Sequence, residues 1–408
     1  MEEVKHFIAG EYRESSLGRT FDNINPCNGE KIGVVHEGGA EDINAAVTAA
    51  RDALTGAWAR MPSQQRNEVL HAIADGVEKR FDEFLEAECL DTGKPHSIAR
   101  HIDIPRGAAN FRVFADAVGN VPTEAFHMET PDGTGAYNLA VRKPKGVIGV
   151  ISPWNLPLLL MTWKVGPALA CGNTVVVKPS EETPTTTALL GEVMNEAGVP
   201  PGVFNVVHGF GPDSAGEYLT RHRDVDAITF TGETRTGEAI MRAAASGVRD
   251  VSFELGGKNP ALVFADCDME RAIEGTLRSV FANCGQVCLG TERVYVERPI
   301  FEEFVGRLAE AAGRYRLGRP EDPATDMGPL VSHEHQRKVL SYYELAREEG
   351  ANVVLGGGVP DMPGDLANGA WVEPTIWTGL PESSPIVREE IFGPCCHIQP
   401  FDDEEEAI

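Results

Sequence analysis

The sequence predicts an α/β fold: a mainly parallel sheet covered by helices, followed by a second α/β unit. Two observations carry this. From Gly146, short apolar pieces at 147–151, 174–177, 203–207 and 227–230 alternate with helical stretches such as 184–197, which is how a parallel sheet with crossover helices reads. After Gly256 the alternation restarts, with a strand at 261–264, a helix at 268–281 and a strand at 293–297. A length of 408 residues exceeds one compact core and predicts two or three domains.

Taken in order, residues 1–40 read as short, turn-rich and partly β, with Asn25-Pro26 and Asn28-Gly29 as turn signals. The pattern turns helical at Glu41. Ser63, after Pro62, is a candidate N-cap, and Val69, Ile73, Val77, Phe81 and Leu85 form one helical stripe for core packing. A further helix is expected over 105–118, with Pro105 in its first turn. Residues 122–145 change character: Pro122, Pro131, Asp132-Gly133 and Gly135 punctuate short apolar pieces, and 137–141 alternates weakly. A β-hairpin leaving the domain is one reading, a long surface loop the other.

In the parallel sheet, ligands sit beyond the carboxyl ends of strands, where Lys178, Gly209 and Thr231 fall. The stretch Gly209 to Gly216 opens like the dinucleotide fingerprint G-x-G-x-x-G but has the wrong final spacing, and the sequence holds no true copy. Further on, the acidic run from Asp266 to Glu270 suits a helix N-terminus, and Gly356 to Gly358 reads as a turn. The last residues, Asp402 to Ile408, read as a cap and one acidic helical turn. One turn cannot hold a helix by itself, so the chain reads as truncated, which puts activity and assembly in question.

Lys and Arg total 36 against 62 Asp and Glu, a net charge of −26. Such a surface repels nucleic acid and anionic lipid, and an anionic substrate needs a local cation against that field. No apolar run approaches the ~20 residues of a spanning helix, and the first residues lack a secretory layout. The eight cysteines have no regular spacing and read as free thiols of a cytoplasmic protein.

Cys284 and Cys288 lie in Phe281-Ala-Asn-Cys-Gly-Gln-Val-Cys-Leu-Gly290. Zinc would need a second Cys or His pair nearby, and none is present, so no metal is expected. Gly285 and Gly290 flank Cys288 and let backbone approach a substrate, as a nucleophilic loop requires; a buried structural cysteine is the plainer alternative. Glu254 precedes a Gly-Gly turn, and Asn155 is framed by Pro153 and Pro157, which fix the local backbone.

Pro-Trp-Asn-x-Pro (153–157), Lys-Pro-Ser-Glu (178–181), Phe-Thr-Gly-x-Thr-x-x-Gly (230–237), Glu-Leu-Gly-Gly-Lys (254–258), Gly-Gln-x-Cys (285–288) and Glu-Ile-Phe-Gly-Pro (390–394) follow one another. Together they resemble the NAD(P)-dependent aldehyde dehydrogenase superfamily, from about Phe7 to the end. Residues 87–95 and 101–109 look most like the 2-hydroxymuconic semialdehyde dehydrogenases of catechol meta-cleavage, with 2-aminomuconic semialdehyde dehydrogenases close by. The resemblance implies a Rossmann-like NAD-binding domain from 1–121 and 146–256, an oligomerisation hairpin at 122–145 and a catalytic domain at 257–408. It implies a homodimer or homotetramer when full length.

By the same resemblance Cys288 is the nucleophile, Asn155 with the Cys288 N–H the oxyanion hole, and Glu254 the base that activates water. A partly buried Glu254 would suit that task. The cofactor residues implied are Ile151, Ser152, Trp154, Lys178, Ser180, Glu181, Gly211, Phe230, Thr231, Gly232, Glu233, Leu255, Gly256, Glu390 and Phe392. Glu181, accepting from a free ribose 2′-OH, favours NAD over NADP. Glu233 stands where many relatives carry Ser, and a carboxylate beside a pyrophosphate is expected to point away. Leu160 and Trp163 line a substrate tunnel or simply pack. Arg106 either pairs with Asp103, snorkels to water, or holds a substrate carboxylate. A thiol hydrolase would need a His beside Cys288, and none flanks it; a silent binding member of the fold would be expected to lack Cys288 or Glu254.

Overall fold

The computed structural model describes residues 3–408. The chain begins with β1 (Glu3–Val4), β2 (His6–Ile8), β3 (Glu11–Arg13), β4 (Thr20–Ile24) and β5 (Lys31–His36). Six helices follow: α1 (Ala40–Ala53), α2 (Ala57–Arg60), α3 (Ser63–Lys79), α4 (Phe81–Thr92), α5 (His96–His101) and α6 (Asp103–Val118). A two-stranded hairpin, β6 (Ala125–Glu129) and β7 (Gly135–Leu139), comes next. The alternating region holds β8 (Val147–Ile151), α7 (Pro157–Ala170), β9 (Thr174–Lys178), α8 (Thr185–Glu196) and β10 (Phe204–Val206). It continues through α9 (Ala215–Arg221), β11 (Ala227–Thr231), α10 (Thr234–Ala245) and β12 (Asp250–Glu254). The last unit comprises β13 (Asn259–Val263), α11 (Met269–Phe281), β14 (Thr291–Glu297), α12 (Phe301–Ala312) and α13 (His333–Glu348). It closes with β15 (Asn352–Leu355), β16 (Thr375–Thr378), α14 (Pro385–Arg388), β17 (Cys395–Phe401) and α15 (Glu404–Ala407).

Seven strands form one sheet in the order β12-β11-β8-β9-β10-β2-β3, in which β2 alone runs antiparallel to the rest. The strand order runs outward from β8 through β9 to β10, then returns to β11 on the other side of β8. That reversal opens a crevice beyond the ends of β8 and β11, where a parallel sheet takes its ligand. Apolar residues of α3, α4, α6, α7 and α8 pack one face of this sheet, and those of α1, α9 and α10 pack the other. A second sheet, β13-β14-β17-β16-β15, is parallel but for β15. The chain crosses from β12 to β13 through residues 255–258, so the Glu254 turn bridges the two sheets.

The structure corrects two local expectations. Ser63 is the first residue of α3 rather than its cap; Pro62 takes that position and no side chain caps the helix. The stripe from Val69 to Leu85 spans two helices, because the backbone leaves the helical region at Arg80 (φ −103°, ψ 27°). The four-residue spacing runs through the break without a change of phase, so periodicity alone cannot reveal it. Of the two readings of 122–145, the hairpin is the one present, antiparallel from Ala125–Leu139 to Glu129–Gly135. The strands β2 and β3, which extend the main sheet, lie in the region read only as partly β.

Candidate active site

The Cys288 loop leaves α11 through an unusual backbone. Asn283, Cys284 and Gly285 are all left-handed, with φ of 52°, 57° and 71°. A Cβ on Gly285 would lie 2.0 Å from the Gly393 carbonyl oxygen, so only glycine fits. The two strained non-glycine residues cost about 1–2 kcal/mol each, and buried hydrogen bonds offset this. The Asn283 amide donates to the carbonyls of Asn155 (3.0 Å) and Gln286 (3.2 Å). Gln286 donates back to the Asn283 carbonyl (3.0 Å) and accepts from the Val331 N–H (3.0 Å).

This geometry separates the two thiols. Cys284 is 2 % exposed inside the core, and burial pushes its thiol far up. Cys288 is half-buried; desolvation pushes its thiol up, and the Glu254 and Glu390 carboxylates push the same way. All eight cysteines are free.

Asn155 sits between β8 and α7 and is 5 % exposed. One N–H of its amide donates to the Gln286 carbonyl at 2.9 Å, two residues before Cys288. An amide has two such donors, so the other remains for a ligand. Glu254 ends β12, the outermost strand of its sheet, and its side chain is exposed. The expected partial burial is therefore not found, because an edge strand gives its last residue no second neighbour. Lys164 of α7 is buried and donates to Thr229 Oγ1 (3.1 Å). Burial pushes it down to about 8, against the opposing pull of Glu254.

The crevice beyond β8, β9 and β11 gathers most of the expected cofactor residues. Ile151 and Ser152 are buried at the end of β8, and the Ser152 N–H donates to the Lys178 carbonyl (3.2 Å). Lys178, 5 % exposed, donates to Glu181 at 2.8 Å. Desolvation pushes Glu181 up, but the Lys178 ammonium and its hydrogen bond outweigh it and hold the carboxyl below its usual range. Ser180 is buried beside them, and the Gly211 carbonyl accepts from Glu217 N–H (3.0 Å). Phe230 is buried; Thr231 is too, and its hydroxyl has no partner among the described residues.

The α10 N-terminus after Gly232 carries no side-chain cap, so its free N–H groups suit a phosphate. Glu233 there is exposed and meets Arg235 at 3.0 Å. The Leu255 side chain packs where a Cβ on Gly237 would stand, 2.8 Å away. At the far end, Glu390 accepts from Gly257 N–H (3.2 Å), and a Cβ on Gly256 would lie 2.2 Å from its carboxylate. Phe392 is left-handed (φ 63°), with Glu292 accepting from its N–H and from that of Ile391, both at 3.0 Å. The orphan Thr231 hydroxyl, the uncapped helix and the glycine cradle fit a dinucleotide.

Sequence reasoning missed His335, whose ring lies 5.0 Å from that of Trp154 and whose Nε2 lies 2.7 Å from the Phe392 carbonyl. It also missed Asn283, Glu292 and Lys94, since nothing local distinguishes such residues from surface polar ones. Of the three substrate candidates, Trp163 is 43 % exposed and stacks edge-on against Phe114 (5.2 Å), and Leu160 is half-buried. Arg106 is exposed on α6, and its guanidinium has no ion-pair or hydrogen-bond partner among the described residues. The alternative of a pair with Asp103 fails, because Asp103 is buried and bound at 2.6 Å to Lys94.

The family model described as "Aldehyde dehydrogenase family" matches residues 12–408. A 2-hydroxymuconic semialdehyde dehydrogenase of Pseudomonas sp. (strain CF600) is 71% identical over all of this chain and 84% of its own length. A 2-aminomuconic 6-semialdehyde dehydrogenase of Pseudomonas sp. is 56% identical over all of this chain and 83% of its own. Among solved structures, an NAD+ complex of an aldehyde dehydrogenase from Bacillus cereus superposes with a TM-score of 0.95. It is 40% identical, covering all of this chain and 81% of that one. The chain belongs to the aldehyde dehydrogenase family.

Proposed function

We propose that this protein oxidises 2-hydroxymuconate semialdehyde to the dicarboxylate in catechol meta-cleavage, using NAD. The observation that carries the reaction type is the tie between the Asn155 amide and the Cys288 loop through the Gln286 carbonyl. The identity to semialdehyde dehydrogenases supports the substrate, and 2-aminomuconate semialdehyde is the second candidate. In this reading 1–121 and 146–256 bind the cofactor, 257–408 carries the thiol, and the hairpin at 122–145 serves assembly.

The Cys288 thiol gives its proton to solvent water, and the thiolate sulfur adds to the aldehyde carbon. The oxygen of the resulting thiohemiacetal takes the free N–H of Asn155 and the backbone N–H of Cys288, a stabilisation of about 3 kcal/mol per donor. A nicotinamide cofactor held by the crevice residues Lys178, Glu181 and Glu390 would supply the acceptor for the hydride that leaves that carbon. A thioester on Cys288 remains, and Glu254 takes a proton from the water that hydrolyses it. An exposed Glu254 reaches that water easily. Lys178 and Glu181 hold the adenosine ribose hydroxyls; the Glu181 charge accepts from a free 2′-OH and repels a 2′-phosphate, which favours NAD.

Substrate charge rests on Arg106. With Asp103 already taken by Lys94, the Arg106 fork is free to hold the distal carboxylate with two hydrogen bonds. Replacing it (Arg106→Ala) raises KM for an acidic semialdehyde at least about tenfold, about 1.4 kcal/mol. Hexanal is nearly unaffected. Equal losses with both aldehydes would show that Arg106 is structural.

A further inference from the structure

Lys94 lies in the turn between α4 and α5, and its side chain is fully buried. The turn is fixed by Gly93, left-handed at φ 72°, where a Cβ would lie 2.6 Å from Pro329. Three acceptors surround the ammonium, which has three N–H bonds to give. It donates to Asp103 Oδ2 (2.6 Å) and to the Asn155 carbonyl (2.8 Å), and Glu88 Oε1 stands 3.7 Å away. The other Glu88 oxygen accepts from the Leu158 N–H (3.3 Å), in the first turn of α7. Three helices, α4, α6 and α7, therefore meet at one ammonium.

Stability alone does not explain this arrangement. Taking an ammonium and two carboxyls out of water costs several kcal/mol per ion, and apolar side chains of similar size often serve stability as well. Burial also pushes the Glu88 carboxyl upward, a sign of that cost. What apolar residues cannot do is grip the Asn155 carbonyl. The Asn155 peptide oxygen receives Lys94 on one side and Asn283 on the other, while its amide is held by Gln286.

We propose that Lys94 is a positioning residue for the oxyanion hole, holding the Asn155 backbone so that its free amide N–H is aimed before substrate arrives. This rests on the assignment of Asn155 to that hole. Preorganised donors work because no reorientation is left for the reaction step. Lys94 touches neither substrate nor cofactor and acts only through Asn155.

A double-mutant cycle tests it on the intact protein with NAD, following single-turnover NADH formation and, separately, NAD affinity. Lys94→Met slows hydride transfer at least about tenfold with NAD affinity unchanged. In an Asn155→Ala background the same change costs less than about twofold, because the group it aims is gone. Lys94→Met leaves Asp103 unpaired, so Lys94→Met with Asp103→Asn is made in parallel; it balances the buried charge, shows the same loss, and carries the test if the single variant does not fold. A loss of equal factor in both backgrounds overturns the proposal and leaves the role of Asn155 standing. Unaltered hydride transfer in Asn155→Ala overturns the oxyanion assignment and the proposal with it.

Discussion

Cys284 and Cys288 carry the same group on one loop, and burial gives them different fates. With Cys284 enclosed by the core and Cys288 reaching solvent, Cys288→Ala abolishes aldehyde oxidation while leaving NAD binding intact. Cys284→Ala retains most of the activity, and a stoichiometric thiol label maps to Cys288; a label found on Cys284 would refute this. The Glu254 charge raises the Cys288 thiol, so two roles for Glu254 predict opposite results. If it acts only on the thioester, Glu254→Gln gives a burst of NADH followed by slow turnover, and Cys288 is alkylated faster near neutral pH. A lost burst with slower alkylation would instead make Glu254 the base for the thiol. These residues stand out in the sequence because short Gly- and Pro-framed motifs surround them. Lys94 and His335 do not, because their partners lie 9 to 61 residues away in the chain.

At the scale of elements, β8, β9 and β11 and the helices between them were legible as apolar runs separated by turn signals. The break at Arg80 was not, because the stripe keeps its spacing across it, and β2–β3 were not, because strands of three residues carry no measurable alternation. The buried junction of α4, α6 and α7 was equally hidden: the sequence offers Asp103 only as a pair for Arg106. It has a measurable consequence. Burial pushes Glu88 up to about 8, partly opposed by Lys94, while Asp103 and Asp91 add to the rise and the Leu158 N–H lowers it. The folded chain thus binds a proton on Glu88 that the unfolded chain releases near the ordinary carboxylate range. Between those two values the native state holds more protons, so this group makes stability fall as pH rises. Glu88→Gln removes that slope. Denaturant unfolding at pH 6 and at pH 8.5 will show the variant gaining stability relative to the parent between the two. A constant difference would mean that Glu88 does not change protonation on folding.

The whole molecule carries a net charge of −26, and two copies repel one another unless a contact outweighs it. The hairpin supplies such a surface: Phe126, Met128, Tyr137, Leu139 and Val141 are all at least half exposed, Tyr137 at 83 %. A hairpin of two strands is marginal in water by itself, and exposed apolar patches mark places where proteins meet. No other strand pairs with β6 or β7 among the described residues, so both outer edges can accept a partner. If the hairpin serves assembly as proposed, sedimentation of the parent protein shows a dimer or tetramer. Tyr137→Asp combined with Leu139→Asp shifts it toward monomer, since each change places another negative charge on a surface that must desolvate. Added salt opposes the shift in the variant by screening the like charges. The thiol and the NAD crevice lie on other elements, so NAD affinity per chain is unchanged in the variant. Unaltered sedimentation would place the contact elsewhere and leave the hairpin's exposed aromatic and aliphatic side chains without a role in assembly.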